Sequence, residues 1–160
     1  MNIFVLDRHQ GNNARYHVDR HVVKMTLEAA QLACTALHVY GLETPYKPTH
    51  KYHPCAEWAR DSRQNFEWLC DYGIELYREY FFRYGRFHKS GLVLMWCMEQ
   101  SYAIPRGELT DFAQAMPDEY KRPNAIDAYR AYYMGTKSHL ASWTKRERPW
   151  WFNPPLETPS

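Results

Sequence analysis

Two stripes of side chains run beside each other through residues 12–41, and they constrain the chain more than any other feature. Val18, Val22, Met25, Ala29, Leu32 and Ala36 recur at steps of three and four, the spacing of one apolar helix face. His17, His21, Lys24, Glu28, Gln31 and Thr35 repeat those steps one residue earlier. This second stripe therefore lies along the edge of the buried face, where side chains are partly dry yet reachable. A surface helix normally keeps its charges opposite the core. Lys24 and Glu28 could be no more than a solvated i,i+4 pair. Together with His21, however, they share one face beside a core, an arrangement that shifts pKa values and suits acid–base work. His21, Lys24 and Glu28 are thus the first candidates for chemistry.

Around this helix the sequence predicts an all-α domain of three or four helices with long irregular loops. Residues 2–6 are a short extended segment, too brief to found a sheet. Gly11, Asn12 and Asn13 supply a turn and an N-cap, and Gly41 is placed to end the helix. Residues 42–54 carry Pro45, Pro48 and Pro54 and read as a loop. A second helix is expected from Pro54 to about residue 86, with Gly73 as a point of kinking. A third starts at Ser90, and a fourth is capped by Asn124 and ends near Trp143. The stretch between them, 106–123, is irregular. The expected domain spans 1–152, followed by a flexible C-terminal tail at 153–160.

Composition narrows the function classes. At 160 residues and 45% hydrophobic the chain can bury a core. No segment reaches the ~18 apolar residues of a membrane span. Cys34, Cys55, Cys70 and Cys97 show no CxxC pair, so neither a zinc ribbon nor a disulfide framework is signalled. The expectation is a soluble, cytoplasmic protein with reduced thiols, no membrane partner and no cofactor. His17 with His21, and His50 with His53, could close a zinc site. Lys24 would stand one turn from such a cation, so no metal is expected.

A net charge of +2 does not by itself indicate nucleic acid. The cations nevertheless cluster, as Arg60 and Arg63, then Arg83, Arg86, His88 and Lys89, then Lys145, Arg146 and Arg148, and each cluster is interleaved with rings (Trp58, Tyr84, Phe87, Trp143, Trp150 and Trp151). Such clusters are most often a solvated face. Cations for phosphates beside rings for bases are also what a nucleic-acid groove requires. At this net charge the groove must be one-sided, with Glu108, Asp111, Asp118 and Glu119 elsewhere.

The run Asp19-Arg20-His21, with Glu28 seven residues after the histidine, resembles the opening helix of the pyrimidine-dimer DNA glycosylase (phage endonuclease V-like) family. The Trp58–Arg86 segment and Arg148-Pro149-Trp150-Trp151 are similar to that family's second long helix and aromatic tail. His21-Val22-Val23-Lys24-Met25 also resembles small phage proteins. The resemblance implies an all-α fold, a flipped-out nucleotide in double-stranded DNA, and attack on the sugar C1′ by the N-terminal α-amine. The matched glutamate, Glu28, would assist. Family members expose a threonine by removal of Met1, whereas this chain has Asn2, so the amine would belong to Met1. The expected catalytic set is then Glu28, His21 and Met1. The expected DNA-binding set is Arg20, Lys24, Arg60, Arg63, Arg86, Lys89, Arg148 and Trp151. If the chain is phage-encoded, the cytoplasm is that of the host. Two other readings keep the fold: processing of a phage nucleotide or thymine-derived base, and a non-catalytic DNA- or protein-binding module.

Overall fold

The computed structural model describes residues 1–155, and among them every regular element is a helix. Six α-helices follow in order: α1 (Gln10–Tyr16), α2 (Asp19–Val39), α3 (Pro54–Asp61), α4 (Arg63–Tyr84), α5 (Ser90–Glu99) and α6 (Ala125–Thr136). Short 3-10 turns lie at Ser101–Ala103, Asp118–Tyr120 and Ser138–Leu140. The all-α class is as expected, but the helices number six rather than three or four, because two expected helices are each broken once. Of the expected tail, residues 156–160 lie outside the described residues.

The first break falls at His17 and Val18, which are both extended (ψ 134° and 155°). Two carbonyls near this break, those of Arg15 and His17, would be orphaned there. The Arg83 guanidinium, reaching over from α4, donates to both at 3.0 and 2.8 Å. The same guanidinium pairs with Asp19 in the first turn of α2 and with Glu79, which Arg146 also grips through two nitrogens. Burial alone would raise the Asp19 carboxyl, but hydrogen bonds from Thr144, Ser142 and Arg83 hold it below its ordinary range. A buried ionic network therefore locks the α1–α2 corner to α4 and to the C-terminal segment. The helix also starts earlier than expected: His9, not the Gly11–Asn13 run, caps α1 by accepting from the Asn12 amide.

The second break is at Ser62, extended at φ −151° and ψ 154°, whose Oγ caps α4 by accepting from the Asn65 amide at 3.1 Å. The next two amides, of Arg63 and Gln64, donate to the Pro105 and Gly107 carbonyls. α4 then continues without interruption through Gly73. A Cβ there would meet a Leu94 methyl at 2.5 Å and the Ala29 Cβ at 3.1 Å, so the glycine permits close approach of α2, α4 and α5. Gly85, left-handed at φ 66°, ends α4. α6 stops at Thr136, short of Trp143.

The apolar stripe of α2 is buried throughout, facing α3, α4 and α5. Residues 2–6 form no strand. They thread through the interior instead, with Ile3, Phe4, Val5 and Leu6 all buried. The Phe4 ring stacks on His21 at 4.5 Å and meets the α6 rings of Tyr129, Tyr132 and Tyr133 at 5.5–6.1 Å. The extended segment is thus clamped between α2 and α6, which fixes where its first residue ends up.

Candidate active site

The chain's first residue lies over the middle of α2. The Met1 α-amine stands 3.9 Å from Glu28 Oε1, and the Asn2 backbone N–H donates to Glu28 Oε2 at 3.3 Å. Glu28 is 9% exposed. Asn2 acts as the bracket: its Nδ2 donates to the Ala115 carbonyl at 2.9 Å, and its Oδ1 lies 2.9 Å from the Tyr129 hydroxyl. The segment 113–116, irregular by itself, is thereby pulled onto the site. Met1, His21, Lys24, Glu28, Tyr132 and Lys137 line a small polar pocket of about 220 Å³. Pockets for drug-sized ligands measure about 300–1,000 Å³, so this smaller one suits a single ring.

His21 is 4% exposed, and its Nδ1 sits 2.6 Å from the Tyr133 hydroxyl. That hydroxyl already accepts from the Val18 N–H at 3.2 Å, and burial raises its pKa, so it donates its proton to Nδ1. The neutral ring then carries hydrogen on Nε2, which has no partner among the described residues. Burial first, and then the charges of His17, Lys137, Lys24 and Arg20, push the His21 pKa down to about 3. His21 is therefore a hydrogen-bond donor to the pocket and not a proton-donating imidazolium. His17, expected in the same stripe, lies in the break and points inward: Nδ1–H donates to the Asn13 carbonyl at 2.7 Å and Nε2 accepts from Tyr72 at 2.8 Å. Its pKa falls to about 3, again chiefly through burial. Among the described residues no three His, Cys, Asp or Glu side chains gather as a metal-ligand group.

The pocket thus unites Met1, His21, Lys24 and Glu28, with Arg20 exposed one turn before Lys24 on α2. The other expected contacts fall elsewhere. Arg63 donates to the Ile104 and Tyr102 carbonyls at 3.0 Å each, Arg60 to the Lys51 carbonyl, and Arg148 to the Phe152 carbonyl at 2.8 Å. These three brace loops and do not line the pocket. Trp151, expected to stack on a base, is 6% exposed and packs edge-on against Tyr16; its neighbour Trp150 is the exposed ring. Arg86 and Lys89 are exposed and line an adjoining groove with Val23 and Leu27 of α2. Lys137, Tyr132 and Tyr133 were missed from sequence. Only Tyr133 had a signal, its i, i+4 spacing from Tyr129, which places both on the inward face of α6; Tyr132 and Lys137 had none.

Among the described residues no helix is long and apolar enough to cross a membrane. No protein-family model, curated protein or solved structure matches the chain.

Proposed function

We propose that the chain is a DNA-acting enzyme of the glycosylase type, taking an altered pyrimidine nucleotide extruded from its strand. The observation that carries this reading is the Met1 amine beside the largely buried Glu28 carboxylate in a one-ring pocket rimmed by Lys24 and Lys137. An amine, a proton acceptor within reach and cations for flanking phosphates are the parts needed for Schiff-base chemistry on a sugar. The Met1 ammonium first passes one proton through Glu28 to water; the freed amine nitrogen then forms a bond to C1′, and the C1′–N bond to the base breaks, its electron pair leaving on the base. One amine proton ends on the departing base. The other passes through Glu28 to the ring oxygen as the sugar opens and an imine forms. His21 Nε2–H would donate to an oxygen of the base, steadying it as it leaves. Base extrusion costs a few kcal/mol, least for a damaged or modified base, which gives selectivity for altered pyrimidines a physical source.

Borohydride reduction in the presence of DNA bearing an abasic or damaged thymidine site tests this. A covalent adduct should form, and peptide mass mapping should place it on Met1. An adduct on Lys24 or Lys137 would overturn the assignment of the nucleophile, and no adduct with any such DNA would overturn the reaction.

A second reading keeps the pocket but makes the substrate a free nucleotide or thymine-derived base. It is favoured by the engagement of Arg60, Arg63 and Arg148 with backbone carbonyls, which leaves fewer cations for a long duplex. Competition by free thymidine nucleotides at micromolar concentration would select it.

A further inference from the structure

Next to the pocket, α2 turns a second surface outward. Val23 and Leu27 floor a groove of about 410 Å³ walled by Tyr46, Tyr80 and residues 86–90. It continues past Leu27 and Tyr46 into a shallower trough beside Lys47. The groove is built rather than incidental. Gly85 turns the chain back after α4, His88 Nε2–H donates to the Val23 carbonyl at 3.0 Å, and the Ser90 amide donates to His88 Nδ1 at 3.1 Å. The Tyr46 hydroxyl lies 3.0 Å from Ser90 Oγ and ties the opposite wall. At the rim Phe87 is 72% exposed, stacked at 4.8 Å on Phe81 and so held in place on one face.

The charge along this surface has one sign. The pocket, groove and trough are lined by Lys24, Lys137, Arg86, Lys89 and Lys47, and the one carboxylate among their lining residues is Glu28, already occupied by Met1 and Asn2. In a chain whose net charge is +2 this is a segregated cationic strip, with one exposed ring, Phe87, and the half-buried rings of Tyr46, Tyr80 and Tyr132 along it. Phosphates spaced along a backbone match the cations, and bases match the rings, provided the bases are unpaired and free to turn their faces to the protein. A duplex keeps those faces stacked inside.

We infer that the groove over Val23 and Leu27 is a track for an unpaired nucleic-acid strand running from the Glu28 pocket to Phe87. This deepens the proposed function and rests on it for the nucleotide in the pocket: the substrate is presented as single-stranded DNA or as an opened stretch of duplex. Phe87 stacks a base; Arg86, Lys89 and Lys24 hold phosphates.

Anisotropy titrations with a labelled twelve-residue oligothymidylate, and with its duplex, test the track without any chemistry. The single strand should bind at least tenfold tighter than the duplex, with a log–log salt slope of about −0.7 per phosphate neutralised. Phe87→Ala should weaken binding about tenfold with the slope unchanged, since a stacked ring releases no counterions. Arg86→Gln and Lys89→Gln should each weaken binding and flatten the slope. Arg106→Gln alters an exposed cation near the opposite end of the 22-residue α4, about 33 Å away at 1.5 Å per residue, and should bind as the parent does. Circular dichroism checks that each variant is folded. Equal or tighter duplex binding, groove variants that bind like the parent, or no binding of the single strand at low salt would each overturn the track. Borohydride trapping separates this from the reaction: an adduct with groove-insensitive binding removes the track alone, and groove-dependent binding without an adduct removes the reaction alone.

Discussion

Glu28 is placed by two separate parts of the chain, α2 and the N-terminal segment, and that convergence is the reason to assign it chemistry. α2 brings it to the edge of the core, the extended 2–6 segment lays the Met1 amine on it, and Asn2 donates to it. Glu28→Gln keeps the shape and removes the proton acceptor, so turnover should fall about 10²–10⁴-fold while DNA binding persists. Loss of activity in proportion to loss of folded protein, by calorimetry, would mark Glu28 as structural instead. Tyr133→Phe removes the proton that holds the His21 tautomer and leaves the Val18 N–H unpaired; it should slow the reaction and cost about 1–3 kcal/mol of stability. Unchanged rates in that variant would contradict a role for the His21 Nε2–H. Glu28, His21 and Lys24 were legible because helical spacing maps directly onto a face. Lys137 and Tyr132 were not, since only the clamping of the 2–6 segment between α2 and α6 brings them there, more than a hundred residues along the chain.

At the level of elements, the two helix breaks are the lesson. Apolar periodicity runs almost unbroken through residues 12–41 and 54–86, so period alone predicts two long helices. Both interruptions are decided by polar groups that periodicity does not register: Ser62 as a cap, and Arg83 as a clamp on the carbonyls near the end of α1. Ser62 carried a readable cap signal; Arg83 did not, because its partners are 64–68 residues away. Arg83→Met should expose how much the corner depends on that guanidinium. Removing one member of a buried ionic network costs about 3–5 kcal/mol, and limited proteolysis should then cut first around residues 16–19. Gly73→Ala, an exchange that usually stabilises a helix, should instead cost about 1–3 kcal/mol by overpacking against Leu94 and Ala29. A stabilised Gly73→Ala protein would show that α2, α4 and α5 are less closely packed than described.

For the whole molecule, two neutral histidines set the acid limit of stability. His17 and His21 titrate at about 3 in the folded protein and near 6.5 when unfolded. The unfolded chain therefore binds more protons between those values. The stabilisation is fully present above pH 6.5 and drains as pH falls toward 3, with a slope of up to about 1.4 kcal/mol per pH unit for each histidine. Asp19 and Glu79, whose carboxyls are held low, lose their contribution only at lower pH. Burial also lowers His53 and His88, so urea unfolding between pH 7 and 5 should be compared with that of His17→Gln, where the difference isolates His17. A flat difference across that range would contradict its neutral burial. The pairing of the Met1 amine with Glu28 as a site for Schiff-base chemistry is tested by mass spectrometry of the protein after borohydride reduction with DNA carrying an abasic site. A single adduct is expected on the peptide containing Met1, formed by the parent protein and reduced at least a hundredfold in rate in Glu28→Gln. An adduct confined to a lysine peptide, or none where the DNA is demonstrably bound, would contradict it.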